Sequence, residues 1–253
     1  MTGTLHVVGL GPGDGAMMTP DAQAAIARAT ALYGYAPYLD RLALAPGQRA
    51  IASDNREELD RAREALGTAA AGEAVCMVSG GDPGVFAMAS AVCEAIESDA
   101  PRWDGIELVV VPGLTAMLAV AARAGAPLGN DFCAISLSDN LKPWTVIEAR
   151  LRAAAGAGFA MAFYNPISKA RPWQLGSAFN ILREILDSEI PVVFGRAAGR
   201  PDAAMRIVSL GEARPEMADM ATCVIVGAPT TRIITRAGQP PLVYTPRFVR
   251  DDG

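Results

Sequence analysis

Apolar residues in the first half of the chain fall in short blocks, each closed by a turn and followed by a segment of helical periodicity. The blocks Leu5–Val8, Arg49–Ala52, Val75–Val78 and Glu107–Val111 read as strands. Between them, TPDAQAAIARAT opens with Thr19 as the capping residue and Pro20 in the first helical position. In DNREELDRAREAL, Glu57 follows Asp54 at the spacing of a capping box. GVFAMASAVCEAIES resumes helical periodicity directly after a glycine-rich turn at Ser79–Gly84. Alternation of this kind predicts a largely parallel sheet covered by helices.

After VVVPGLTAM the pattern starts again. A helix over Leu114–Ala124 leads to a strand at Phe132–Leu137, and KPWTVIEARL opens a further helix in which Thr145 and Glu148 repeat the capping spacing. Strands are predicted at Phe159–Tyr164, Val192–Phe194, Arg206–Leu210 and Cys223–Val226. The last three are joined by connections too short for full helices, so antiparallel pairing is expected. The expected architecture is α/β with two domains. Residues 1–112 carry a mostly parallel sheet, and residues 113–253 carry a mixed one that ends soon after the Cys223–Val226 strand. No internal repeat or low-complexity tract breaks the pattern.

Composition narrows the class. Of 253 residues, 51% are hydrophobic and 19% charged, and no apolar run reaches the length of a membrane span. MTGTLHVVGLGPG has no basic segment ahead of its apolar run, so it does not read as a secretory signal, and a cytoplasmic protein is expected. A net charge of −5 argues against a nucleic-acid surface. Only Lys142 and Lys169 are lysines among the 22 basic residues. Mutational bias accounts for the excess of arginine, although the planar guanidinium is also the group that matches a carboxylate. Cys76, Cys93, Cys133 and Cys223 lie far apart and are expected as buried free thiols. The single histidine, His6, falls in the first strand and is expected to be structural. No metal site is expected.

Three turns share one design, a strand followed by glycine and proline together: VVGLGPGD at 7–14, VSGGDPGVF at 78–86 and VVPGLTA at 110–116. A dinucleotide fingerprint fails here, because Asp14 takes the place of the third glycine and no acidic residue closes the second strand, where Tyr33 and Tyr35 stand. A P-loop fails for want of its lysine. Pro12, Pro83 and Pro112 each remove a backbone N–H, so these turns are poor in the donors a phosphate needs. Exposed carbonyls and the Asp82 carboxylate remain, a surface suited to a neutral or cationic ligand such as a sulfonium. Each turn alone also reads as an ordinary tight turn. Three at consecutive strand ends point to a site.

In this order and spacing, VGLGPGD, SGGDPGVF and VPGLTA resemble the tetrapyrrole (corrin and porphyrin) methylases over essentially the whole chain. The resemblance implies S-adenosylmethionine as cofactor, S-adenosylhomocysteine as product, two α/β domains with the cofactor between them, and a homodimer. YGYAPYL at 33–39, DFCAISLSDNLKPWTVIEARL at 131–151 and AFYNP at 162–166 look like the branch that methylates ring carbon 17 of precorrin-3B. That branch promotes ring contraction to precorrin-4 on the way to cobalamin. Carried over by motif, the implied cofactor contacts are Pro12, Gly80, Gly81, Asp82, Val85, Thr115 and Ala116. Tyr164, Asn165, Ala197, Ala228 and Thr230 follow in the second half. The partner implied is a tetrapyrrole, with neither nucleic acid nor membrane. One departure is informative: uroporphyrinogen-type relatives end the second strand in Tyr-Asp, whereas Gly34-Tyr35 stands here.

Methyl transfer needs an aligned, electron-rich carbon in a dry site, and positioning supplies much of the rate. Ring contraction also moves protons, which calls for a group within hydrogen-bond reach. Asp139, Lys142 and Tyr35 are the candidates, set against a solvated loop pair and cleft-wall packing as the plainer explanation. Arg196, Arg200 and Arg232 are candidates for the substrate's carboxylate arms, and Trp144 and Trp173 for stacking on its ring. Open alternatives are a cobalt-loaded intermediate, another ring carbon, a protein substrate of the diphthamide type, and a binding module without turnover.

Overall fold

The computed structural model describes residues 3–54, 57–168 and 170–248. Two compact units divide the chain, Met1–Ala116 and Met117–Gly253. The first contains β1 (Thr4–Gly9), α1 (Pro20–Arg28), β2 (Ala31–Tyr35), α2 (Ala36–Leu39), β3 (Arg49–Ser53), α3 (Glu58–Ala70), β4 (Ala74–Ser79), α4 (Met88–Ser98), α5 (Ala100–Trp103) and β5 (Glu107–Val111). Its sheet runs in the order β3-β2-β4-β1-β5, with all neighbours parallel.

Side chains alternate across this sheet as the pleat requires. Leu5, Val7, Val75 and Met77 enter a core with Ala62, Ala65 and Leu66 of α3 and Ala91 and Val92 of α4. Val8, Cys76 and Val78 enter the opposite core with Ala22 and Ala25 of α1. Burial on both faces explains why β1 and β4 read as continuous apolar runs. The neighbours β1 and β4 thus send their following helices to opposite faces. Open α/β sheets bind ligands beyond the carboxyl ends of strands at such a switch point.

The second unit contains α6 (Ala116–Ala124, starting at the boundary), β6 (Gly125–Ala126), β7 (Phe132–Ser136), α7 (Trp144–Gly156), β8 (Ala160–Tyr164), α8 (Gln174–Arg183), β9 (Pro191–Arg196), β10 (Ala204–Ser209), β11 (Thr222–Val226), β12 (Arg232–Arg236) and β13 (Gln239–Tyr244). Its main sheet has the order β10-β9-β11-β8-β7. β7 and β8 are parallel and the other pairs antiparallel, as the short connections required. Ile147, Leu151, Phe163, Leu175, Phe179 and Phe194 lie at its core.

Several expectations need correction. Two strands follow β11: β12 and β13 form a hairpin whose second strand pairs with β6. Pro240 and Pro241 disguise it, because proline lacks the ladder donor. The helix after Ser79–Gly84 begins at Met88, and Phe86 sits before it with φ +52°. Thr145 lies inside α7 and does not cap it; Pro143 holds the cap position, and Glu148 pairs with Arg152 at 2.9 Å instead. Of the Asp54–Glu57 capping box one half forms, the Asp54 N–H donating to Glu57 Oε2 at 3.1 Å, with α3 starting at Glu58. Cys93 is exposed and Cys133 half-buried, while burial pushes the thiols of Cys76 and Cys223 up to about 12.

Candidate active site

The three glycine-proline turns leave the carboxyl ends of β1, β4 and β5, and they are bound to one another. Gly11 and Gly81 exchange backbone hydrogen bonds, each 3.1 Å, and the Leu10 N–H donates to Ser79 O at 2.9 Å. Asp82 Oδ1 accepts the Gly84 N–H at 2.8 Å, and its Oδ2 accepts the Gly113 N–H at 3.0 Å. A Cβ on Gly9 would stand 2.7 Å from Gly113 N, and one on Gly113 would stand 2.3 Å from Gly81 O. Only glycine permits this approach. At Thr19, Oγ1 caps α1 through the Ala22 N–H and reaches Pro112 O at 3.4 Å, adding a strut under the third turn.

This clamp changes the reading of the turns. Their carbonyls were expected to face a ligand, yet Arg41 Nη2 donates to Leu10 O at 3.2 Å, to Gly11 O at 3.1 Å and to Gly13 O. Asp82 likewise makes its two hydrogen bonds within the clamp. It still contributes a negative charge at the edge, but it is first a structural tie. No motif pointed to Arg41, which lies in an irregular segment after α2; a lone arginine among 22 basic residues carries no signal.

Pro12, Gly80, Gly81, Asp82 and Val85 are half-buried, and Thr115 is buried where the third turn meets α6 with Ala116 beside it. These seven expected contacts share one edge of the first unit. Tyr38 packs its ring over Gly80, where a Cβ would meet Cζ at 2.6 Å. Tyr35 closes β2 at the same edge and meets Tyr38 edge to face at 5.5 Å. Phe86, 49% exposed, follows the second turn. Behind the edge, buried Arg61 donates to Ser53 Oγ at 2.6 Å, to Asp54 O, and to Met88 Sδ at 3.3 Å. It thereby ties the end of β3 to the start of α4.

In the second unit the expected contacts divide. Tyr164 closes β8 with Asn165 next in the chain, and Ala197 follows β9, at one edge of the sheet. The Met117 N–H donates to the Tyr164 hydroxyl at 3.0 Å, and Asn165 Nδ2 donates to Ser136 Oγ at 3.1 Å. Asn165 and Ala197 have φ values of 51° and 47°. With Phe86 they are the residues other than glycine at positive φ among the described residues. Such conformations are rare away from glycine and cluster at functional sites. Ala228 and Thr230 follow β11, whose last residue Val226 pairs with Val192 near the start of β9. They therefore stand at the opposite edge. There Thr231 Oγ1 accepts the Ala228 N–H at 2.8 Å and bonds Thr245 Oγ1 at 2.8 Å, and Thr245 donates to Pro127 O at 2.6 Å.

Asp139 is engaged by Arg171 at 3.2 Å and Gln174 at 3.1 Å. Lys142 Nζ donates to Ser138 O at 3.4 Å, and burial, with Arg150 nearby, lowers its pKa. Arg196, expected to meet a ligand carboxylate, instead pairs with Asp202 and Asp219, each at 2.7 Å. Trp144 and Trp173 pack edge to face at 4.8 Å. Among the described residues no group of His, Cys, Asp and Glu could hold a metal ion, and no helix is long and apolar enough to cross a membrane.

The family model described as tetrapyrrole (corrin/porphyrin) methylases matches residues 4–214. A precorrin-3B C(17)-methyltransferase from a Sinorhizobium species is 68% identical over 248 residues, which is 98% of each chain. Among solved structures, the methyltransferase CobJ matches with a TM-score of 0.92 and 53% identity, over 96% of this chain and 100% of that one. A uroporphyrin-III C-methyltransferase of Thermus thermophilus, solved with S-adenosylhomocysteine, shares the fold at a TM-score of 0.68 and 23% identity, over 89% of this chain and 97% of its own. The chain belongs to the tetrapyrrole (corrin/porphyrin) methylases.

Proposed function

We propose that this enzyme transfers a methyl group from S-adenosylmethionine to carbon 17 of precorrin-3B, with contraction of the macrocycle to precorrin-4, in cobalamin biosynthesis. The observation that carries this reading is the 68% identity, over nearly the whole chain, to a relative named for that reaction. The match covers 98% of the chain, so it is not confined to one motif or one unit.

The clamp fits the cofactor in two respects. An added Cβ at Gly81 would find nothing closer than 3.8 Å, so the backbone there is open to close approach. The Asp82 carboxylate supplies a negative charge at an edge whose prolines withhold N–H donors, which favours a sulfonium over a phosphate. Gly80, Gly81, Asp82, Val85, Thr115 and Ala116 would hold the cofactor, with Pro12 beside them. When bound it supplies an electrophilic methyl group. The clamp's task is to fix that methyl in line with the ring carbon and to keep water away. Tyr35, half-buried at the same edge, is the proposed proton donor for contraction.

Anaerobic incubation with precorrin-3B and isotopically labelled S-adenosylmethionine tests this. One methyl at carbon 17, with the absorbance change of a contracted ring, is expected. A methyl at another carbon, or turnover only with a cobalt-loaded substrate, would overturn it. Tyr35→Phe should slow contraction while leaving S-adenosylhomocysteine affinity unchanged.

A further inference from the structure

β7 and β8 run parallel with Ser136 opposite Tyr164, so the loops that begin at Leu137 and Asn165 leave the sheet side by side at its carboxyl edge. Across them lies a charged group that methyl transfer itself does not use. Arg171 Nη1 donates to Asp139 Oδ1 at 3.2 Å and also to Asn140 Oδ1. Gln174 Nε2 donates to the same Asp139 oxygen at 3.1 Å. Both of Arg171's side-chain acceptors therefore take one nitrogen, and the Nε–Nη2 edge of its fork meets no acceptor among the described residues. That edge is the one that grips a carboxylate through two parallel hydrogen bonds. The Arg171 side chain is 27% exposed, so the fork is reachable.

The support behind Arg171 is unusual. Gln174 is 2% exposed, and its Oε1 has no partner among the described residues. An enclosed amide with one end unmatched costs stability relative to an apolar side chain of the same shape. Here the other end fixes Asp139, and Asp139 fixes Arg171. Lys142, anchored on Ser138 O, adds a second cation from the same loop. Beside these charges lies apolar surface: Trp173 is 43% exposed, in contact with Trp144, and Leu141 is 91% exposed. A fixed guanidinium fork next to exposed flat apolar surface complements a ligand that is itself a flat apolar ring with carboxylate arms. On a chain of net charge −5, such a ligand needs a local cation to approach.

We infer that Arg171, held by Asp139 and Gln174, grips one carboxylate arm of the tetrapyrrole in bidentate fashion, with Lys142 as a second contact and Trp173 and Leu141 against the ring. This rests on the substrate class proposed above. Asp139 is then a positioning residue and not the proton donor of ring contraction.

Kinetics of Arg171→Ala, Arg171→Lys and Asp139→Asn test it, alongside calorimetric titration with S-adenosylhomocysteine. Both Arg171 variants should raise KM for precorrin-3B about tenfold or more, because lysine cannot supply the fork, with kcat at saturation and product affinity unchanged. Asp139→Asn should raise KM likewise and leave the pH profile of kcat intact. An unchanged KM in Arg171→Ala would overturn the assignment, as would a lost limb in the Asp139→Asn profile. If the wild type does not turn over precorrin-3B, the functional reading fails, and the site is tested by fluorescence titration with uroporphyrin and its octamethyl ester. Arg171→Ala should then weaken binding of the free acid about tenfold and leave the ester unaffected, and equal binding of the acid by both proteins would refute the site.

Discussion

Asp82 Oδ2 receives the Gly113 N–H at 3.0 Å, joining the second glycine-proline turn to the third across 31 residues of sequence. Its other oxygen receives the Gly84 N–H at 2.8 Å, so the carboxylate is used as a two-sided acceptor. An asparagine in its place offers one acceptor and turns an amide N–H against a backbone N–H. Asp82→Asn should therefore lower stability by about 1–3 kcal/mol, the range for an unmet polar group. Scanning calorimetry should show a drop of several degrees, and calorimetric titration should show weaker S-adenosylhomocysteine binding. Unchanged melting would mean that the tie contributes nothing to the clamp.

The close backbone approach makes a second, independent demand. Gly113→Ala places a Cβ 2.3 Å from Gly81 O, where the obstacle is main chain and cannot swing aside. Gly15 meets nothing within 4 Å and serves as control. Gly113→Ala should lose melting temperature and cofactor affinity together, whereas Gly15→Ala should stay within about 0.5 kcal/mol of wild type, as surface substitutions do. Equal behaviour of the two would remove the steric argument.

The alternation in β1 and β4 was legible because burial on both faces leaves long apolar runs, and the strand ends were legible because glycine and proline mark them. The motifs located the turns; what the turns do with their polar groups was not legible. Arg41 lies 28 residues from Gly13 in sequence, and only the folded chain brings its guanidinium onto those carbonyls. The same holds for Arg171 and Asp139, 32 residues apart. A charged residue in a loop has no periodicity to betray its partner. The β12–β13 hairpin escaped for a different reason, since its second strand carries two prolines directly after its first residue, in a sheet of only three strands.

Arg196 ties the turn after β9 to the turn before β11 through Asp219 and Asp202. The Arg196 hydrogen bond holds the Asp202 carboxyl below its usual range. Burial raises Asp219, but the Thr222 hydroxyl, Arg196 and the Ala221 N–H together outweigh it and leave that carboxyl lowered too. A carboxyl depressed in the folded state adds stability above its unfolded pKa, about 3.9, and loses it as pH falls through the folded value. The melting temperature of Arg196→Met should thus fall below wild type near pH 7, and the gap should close as pH drops below about 4. A gap of constant size from pH 7 to 3 would show that packing of the arginine stem, not charge, accounts for the loss.

Ala197 and Ala198 are neighbours, both buried, at 4% and 7% exposure, but only Ala197 has positive φ. Replacing either with glycine removes a methyl group worth about 0.8 kcal/mol and frees the unfolded backbone by a further 0.5–1 kcal/mol or so. At Ala198 both effects destabilise, giving a loss of about 1.5 kcal/mol. At Ala197 the left-handed conformation is itself unfavourable for a residue with a Cβ by about 1–2 kcal/mol, and glycine relieves it. The two contributions nearly cancel there, so Ala197→Gly should melt within a degree or two of wild type while Ala198→Gly melts clearly lower. If both variants lose the same stability, the backbone at Ala197 is not strained, and positive φ no longer marks the end of β9 as part of the site.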